Sequence, residues 1–139
     1  MKTQQCMANV MNPNTKIKIL VVDDDHIMCE LLKSILHREG YDVVGAAFNG
    51  EEALEQCAKF DPHVVCLDVN MPKMGGLEAL HALKVEHPKI VVIMVSAAAT
   101  IDVVHEAMSK GACGFIVKPY NAAKILDTLN RCVGQRSLS

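Results

Sequence analysis

From Ile17 onward the chain alternates two kinds of apolar pattern. Short runs rich in β-branched residues, Ile17–Val22, Val43–Ala47, His63–Leu67, Ile90–Val95 and Gly114–Val117, read as buried strands. Between them lie longer segments with apolar residues at helical spacing. The first, Ile27 to Glu39, places Ile27, Leu31, Ile35 and Leu32, Leu36 on one stripe, and the last, Ala122 to Cys132, does the same with Ala122, Ile125, Leu126 and Leu129. Strands that are apolar throughout, rather than at alternate positions, belong to a parallel sheet covered on both faces.

The punctuation agrees. Asn49 stands where it would N-cap the second helix, with Glu52 placed for a capping box. Gly40 and Gly111 follow helical stretches, where a left-handed residue is expected, and Pro62 and Pro88 sit in the loops entering strands three and four. Five βα units in a row predict an α/β fold: a five-stranded parallel sheet between two layers of helices. Right-handed crossovers leave few topologies, and the flavodoxin-like strand order 2-1-3-4-5 is the expectation. Ligands of such sheets bind outside the carboxyl ends of the strands.

At those ends the chain is polar. Strand one ends in Asp23-Asp24-Asp25, strand three in Asp68, strand four in Ser96 and strand five in Lys118-Pro119. Two carboxylates about 5 Å apart repel by roughly 3 kcal/mol at an effective dielectric near 20, so the acids call for a cation among them. Hard oxygen donors in a partly open site suit Mg²⁺ that keeps several waters. Lys118 could pair with a phosphoryl group as a point cation, and Ser96 could donate a hydrogen bond to it. Taken singly these residues have plainer readings: a turn or helix N-cap for the Asp triplet, a cap on helix four for Ser96, a loop for Lys118-Pro119. Asp25 stays with the plain reading, since a carboxylate at a helix N-terminus favours the helix dipole.

The segments IKILVVDDD, VCLDVNMPKMGG, IVVIMVSAAA and GACGFIVKPY resemble, in order, the four signature segments of the response-regulator receiver family, and in particular its stand-alone, chemotaxis-type members. The match runs from about Lys16 to Val133. The resemblance implies a phospho-accepting switch that depends on Mg²⁺. Asp68 would be the phosphoacceptor; Asp24 would ligate the metal directly, Asp23 through a water, and Asn70 through its backbone carbonyl, with Asp68 itself in the set. Ser96 and Lys118 would contact the phosphoryl oxygens, and Phe115 takes the aromatic switch position. The resemblance also implies a cis bond at Lys118-Pro119, which only proline makes cheap. Phosphorylation would draw Ser96 inward, let Phe115 rotate behind strand four, and change the surface of helix four, strand five and helix five. Gly75-Gly76 would free the backbone beside the site. Asn70 and Ala98, both small, predict a phospho-Asp68 open to water and short-lived.

Two other readings compete with it. Asp23-x-Asp25 superficially resembles the nucleophile motif of haloacid-dehalogenase-type phosphatases, which would make Asp23 the nucleophile and Asp25 the acid but leaves Asn70 and MPKMGG unexplained. A phosphate-independent interaction module would not need the full set of site residues.

Composition changes this picture little. The chain has 139 residues, half of them hydrophobic, and a net charge of −2, which predicts no general attraction to nucleic acid or to an anionic membrane. No apolar run approaches the roughly 20 residues of a membrane span. Residues 1–15 read as a flexible extension, 16–133 as the receiver domain and 134–139 as a tail, in a cytoplasmic protein. If the chain ends at GQRSLS, output is expected through a bound partner, with a sensor histidine kinase upstream and downstream a flagellar motor component or a phosphotransfer protein; if it is a fragment, a DNA-binding domain is the alternative output. Cys6, Cys29, Cys57, Cys66, Cys113 and Cys132 show no metal or CxxC spacing and are expected to be reduced, mostly buried thiols. The histidines read as surface or structural, and Met28, Met94 and Met108 as core filler.

Overall fold

The computed structural model describes residues 16–97 and 99–138. Strands and helices alternate as the pattern predicts: β1 Lys18–Val22, α1 His26–Arg38, β2 Asp42–Ala47, α2 Gly50–Phe60, β3 Val64–Asp68, α3 Gly76–Glu86, β4 Val91–Ser96, α4 Ile101–Ser109, β5 Gly114–Val117 and α5 Ala122–Leu138. All strand pairs are parallel, and the order across the sheet is β2-β1-β3-β4-β5, the flavodoxin-like arrangement.

Because side chains alternate along a strand, the sheet feeds two cores. Leu20, Val22, Val65, Leu67, Val92 and Met94 pack with α2, α3 and α4. Ile19, Val21, Val64, Cys66, Ile93, Val95 and Ile116 pack with α1 and α5. The helix ends are held much as expected. Asp25 caps α1 by accepting from the Ile27 and Met28 N–H groups. Asn49 caps α2 through the Glu52 N–H, while the Glu52 carboxylate reaches one residue further back than a capping box requires, to the Phe48 N–H at 2.9 Å. Gly40 and Gly111 adopt φ of 90° and 106°, the left-handed region.

Several expectations need correction. In α1 it is Cys29, Leu32 and Leu36 that are buried, whereas Ile27 is 78% and Leu31 46% exposed. With apolar residues all round this helix, periodicity could not say which stripe meets the sheet. Met94 is in the core, but Met108 on α4 is exposed. Helix α5 continues to Leu138, past Cys132 where the apolar pattern faded. Cys29, Cys57 and Cys66 are buried free thiols, but Cys113 and Cys132 are joined in a disulfide. A separation of 19 residues carries no sequence signal, whereas the docking of α5 on β5 brings their Cα atoms to 5.9 Å. Cys6 and the other residues of 1–15 lie outside the described residues, as does Ala98. Among the described residues no helix is long and apolar enough to cross a membrane.

Candidate functional site

Strand register assembles the site. Val22 of β1 lies opposite Leu67 of β3, so Asp23 follows β1 at the level of Asp68. Asp68 pairs with Val95 of β4, which sets Ser96 one position further out, and Ser96 in turn lies opposite Val117, after which the chain enters Lys118. A hydrogen bond from the Lys118 N–H to the Ser96 carbonyl, 2.9 Å, continues this register past the end of β5. The peptide bond from Lys118 to Pro119 is cis, as the resemblance implied.

Carboxylate oxygens of Asp23, Asp24 and Asp68 lie within 4.8 Å of one another. Asp23 and Asp68 are each 6% exposed; Asp24 is open to solvent. The Lys118 ammonium enters from the β5 side, 2.7 Å from Asp23 Oδ2 and 3.8 Å from Asp68 Oδ2. Burial, reinforced by the Asp23 charge and held back by Lys118, pushes the Asp68 carboxyl up to about 6. Burial pulls the Lys118 ammonium down, but its hydrogen bond to Asp23 and the charges of Asp68 and Asp23 outweigh this and hold it above its ordinary value. One cation therefore faces three acids, and one of those acids already resists ionisation. The donor set is all oxygen, buried at its base and open at Asp24, and it fits Mg²⁺ better than a soft metal.

Asp25 does not join the cluster. Its carboxylate is spent on the start of α1, 2.9 Å from the Ile27 N–H, while its own N–H donates to Asp23 Oδ1 at 2.9 Å. That arrangement disfavours the phosphatase reading, which needs Asp25 as an acid facing the Asp23 nucleophile. Ser96 is fully buried and does not cap α4; Thr100 does, accepting from the Val103 N–H at 3.2 Å. Phe115 is half-buried in the core shared with α3 and α4, opposite Met94. By alternation along β4, Ser96 lies on the same face of the sheet as Met94 and hence as Phe115.

The loop after β3 is drawn in by backbone. The Gly76 N–H donates to the Val69 carbonyl at 2.8 Å, and a Cβ at Gly76 would run into the Asp68 carbonyl and lie 2.7 Å from Val69 Cα. The Gly50 N–H, at the head of α2, donates to the Met74 carbonyl at 3.0 Å, where a Cβ would be 2.6 Å from that oxygen. Asn70, in this loop, is exposed beside Asp68. Sequence reasoning missed His26, whose ring stacks on Phe48 with centroids 4.1 Å apart next to the acidic turn; no local signal links the two positions. It also missed that Lys118 favours Asp23 over Asp68.

Residues 19–130 match the family model described as the response regulator receiver domain. The chain is 37% identical to the chemotaxis protein CheY of Thermotoga maritima, covering 82% of this chain and 95% of that protein. With the CheY of Listeria monocytogenes the identity is 40%, covering 83% and 97%. Among solved structures, the CheX–CheY–BeF3–Mg complex from Borrelia burgdorferi contains a similar chain, at 33% identity and a TM-score of 0.81 over 83% of this chain and 87% of that one. Vibrio cholerae CheY4 is similar at 32% identity and a TM-score of 0.80, over 85% and 99%.

Proposed function

The chain belongs to the response regulator receiver domain family and is a signalling module, and from that premise we propose that Asp68 is its phosphoacceptor in a Mg²⁺-dependent switch. The observation that carries this reading is the placement of Asp68 between the acids of β1 and the Lys118 ammonium 3.8 Å away. An Asp68 carboxylate oxygen attacks the phosphorus of a histidine kinase or small acyl-phosphate donor, and the bond from phosphorus to its former carrier breaks. Asp23, Asp24, Asp68 and the Asn70 carbonyl would hold Mg²⁺, which when bound supplies the positive charge that lets three acids and a phosphoryl group share one pocket. Lys118 needs only a small swing from Asp23 to meet the phosphoryl oxygens as a point charge. Hydrolysis of the same acyl phosphate, by water entering over the exposed Asn70 side, returns Asp68 to its resting state.

The mark replaces one carboxylate by a group of about two negative charges. Ser96 donates to it, and Phe115, on the same face of the sheet, follows into the space behind β4. That couples the site to the surface of α4, β5 and α5, where Ile101 is 77%, Met108 45% and Val117 44% exposed. Apolar side chains left open on that surface suit a protein partner. By likeness to the CheY relatives the pathway is chemotaxis in the cytoplasm, with a sensor histidine kinase upstream. Downstream stands a flagellar motor component or a phosphotransfer protein. The receiver domain spans 16–133, and its last helix runs on through the tail to Leu138.

Intact mass after incubation with an acyl-phosphate donor and Mg²⁺ tests this. One added phosphoryl group in the wild type, absent with EDTA and absent in Asp68→Asn, is the expected result. An unmodified wild type, or an adduct that persists in Asp68→Asn, would overturn it.

A further inference from the structure

The disulfide between Cys113 and Cys132 ties the residue before β5 to the C-terminal half of α5. It stands among thiols that behave differently. Cys29, Cys57 and Cys66 are free thiols sunk in the core, none more than 2% exposed. Thiols buried in this way are out of reach of a small disulfide and stay inert. Cys132 is 3% exposed, while Cys113 is only half-buried and therefore the member of the pair an oxidant can reach. A Cβ at Gly114 would lie 2.7 Å from Thr128 Cγ2 and 3.5 Å from Cys132 Sγ, so α5 packs directly on the backbone at the start of β5, and the bond fixes the helix at that point of closest approach.

We propose that Cys113 and Cys132 form a redox-modification site, a dithiol–disulfide couple set by low-molecular-weight disulfides, whose closed form staples α5 to the head of β5. In closing, the Cys113 thiolate attacks one sulfur of the small disulfide and expels one small thiolate, leaving a mixed disulfide on Cys113. The Cys132 thiolate then attacks the Cys113 sulfur and expels the second. The two protons lost by the cysteines end on the two small thiols, and two electrons have passed from the pair to the small disulfide. Small thiols in excess run the same exchange backward. Phe115 lies two residues from Cys113, so the staple stiffens the part of the molecule through which the Asp68 site would act. The couple itself requires no phosphorylation.

The test uses the full chain equilibrated in graded mixtures of reduced and oxidised glutathione, then acid-quenched, alkylated and mapped by peptide mass. The expected result is a Cys113–Cys132 bond that closes and reopens in the native protein across the series, with Cys29, Cys57 and Cys66 alkylated only after unfolding. Hydrogen exchange of the α5 amides should be about tenfold slower in the oxidised than in the reduced form. That difference should vanish in Cys113→Ala and in Cys132→Ala. Thiols at every ratio, a bond that opens only in denaturant, or α5 exchange that ignores the redox state would each overturn the proposal.

Discussion

The same five strands end in two unlike edges. At the amino edge polar groups have fixed partners: the Lys18 N–H meets His63 Nδ1 at 2.9 Å, and the His63 N–H meets the Lys18 carbonyl at 2.9 Å. There the Lys84 ammonium holds the Pro88 and Ile90 carbonyls at 2.9 and 2.8 Å. At the carboxyl edge three carboxylates crowd within 4.8 Å around a single ammonium. One edge has its partners built in and serves the fold; the other is short of positive charge and, in the proposed function, serves binding. The difference teaches that buried polar residues in one small domain stabilise or destabilise according to whether their partners are built in.

The sharpest way to probe the contrast is Lys118→Met, which removes the cation that stands beside Asp23 and Asp68. The rate of phosphorylation from a small acyl phosphate should fall on the order of 10²-fold, the usual loss when one preorganised charge-stabilising group goes. Mass spectrometry over time measures it, and an unchanged rate would show that Lys118 serves only Asp23.

Next comes a substitution that should stabilise. Asp68 is held near 6 in the fold against 3.8 for the free side chain, so its ionised form is disfavoured by folding. The penalty is absent below about pH 4, grows as pH rises toward 6, and is complete above it. Asp68→Asn should therefore raise stability in chelator by roughly 1–3 kcal/mol at pH 7.5, and by little at pH 4. Urea unfolding at the two pH values decides this. Equal stability of the two proteins at pH 7.5 would mean the acids are not short of a counter-charge.

At the amino edge the sign should reverse. Lys84→Met leaves the Pro88 and Ile90 carbonyls without their donor and should cost about 1–2 kcal/mol in the same assay, with phosphorylation intact. The smallest effect belongs to Asp25, which borders the acidic cluster but works for the fold. Asp25→Ala should cost about 1 kcal/mol through the lost cap while the phosphoryl adduct still forms. Loss of the adduct would revive the role that the phosphatase reading gave it.

The contrast also explains what was legible in the sequence. Apolar runs broken by Asp23, Asp68, Ser96 and Lys118 announce both the strands and the edge that binds, because each residue's place depends only on its own strand's length. The choice of Lys118 for Asp23 over Asp68 is decided by distances of 2.7 and 3.8 Å, which no spacing encodes. The outward face of Ile27 and Leu31, and the union of Cys113 with Cys132, are likewise products of how helices settle on the sheet. Local pattern speaks for elements; it is silent on which surface of an element is chosen and on partners far along the chain.

The loop from Val69 to Met74 is pinned at both ends, by the Gly76 N–H on Val69 and the Gly50 N–H on Met74. Its middle, Asn70 to Lys73, is thus a cassette between two fixed anchors. Were the Asn70 carbonyl a metal ligand, as proposed, it would be blind to the side chain above it, so a combinatorial library could vary that side chain while the anchors hold the backbone in place. In the proposed switch the domain would thereby have an evolvable lip, where the lifetime of a signal could be retuned without renegotiating the fold.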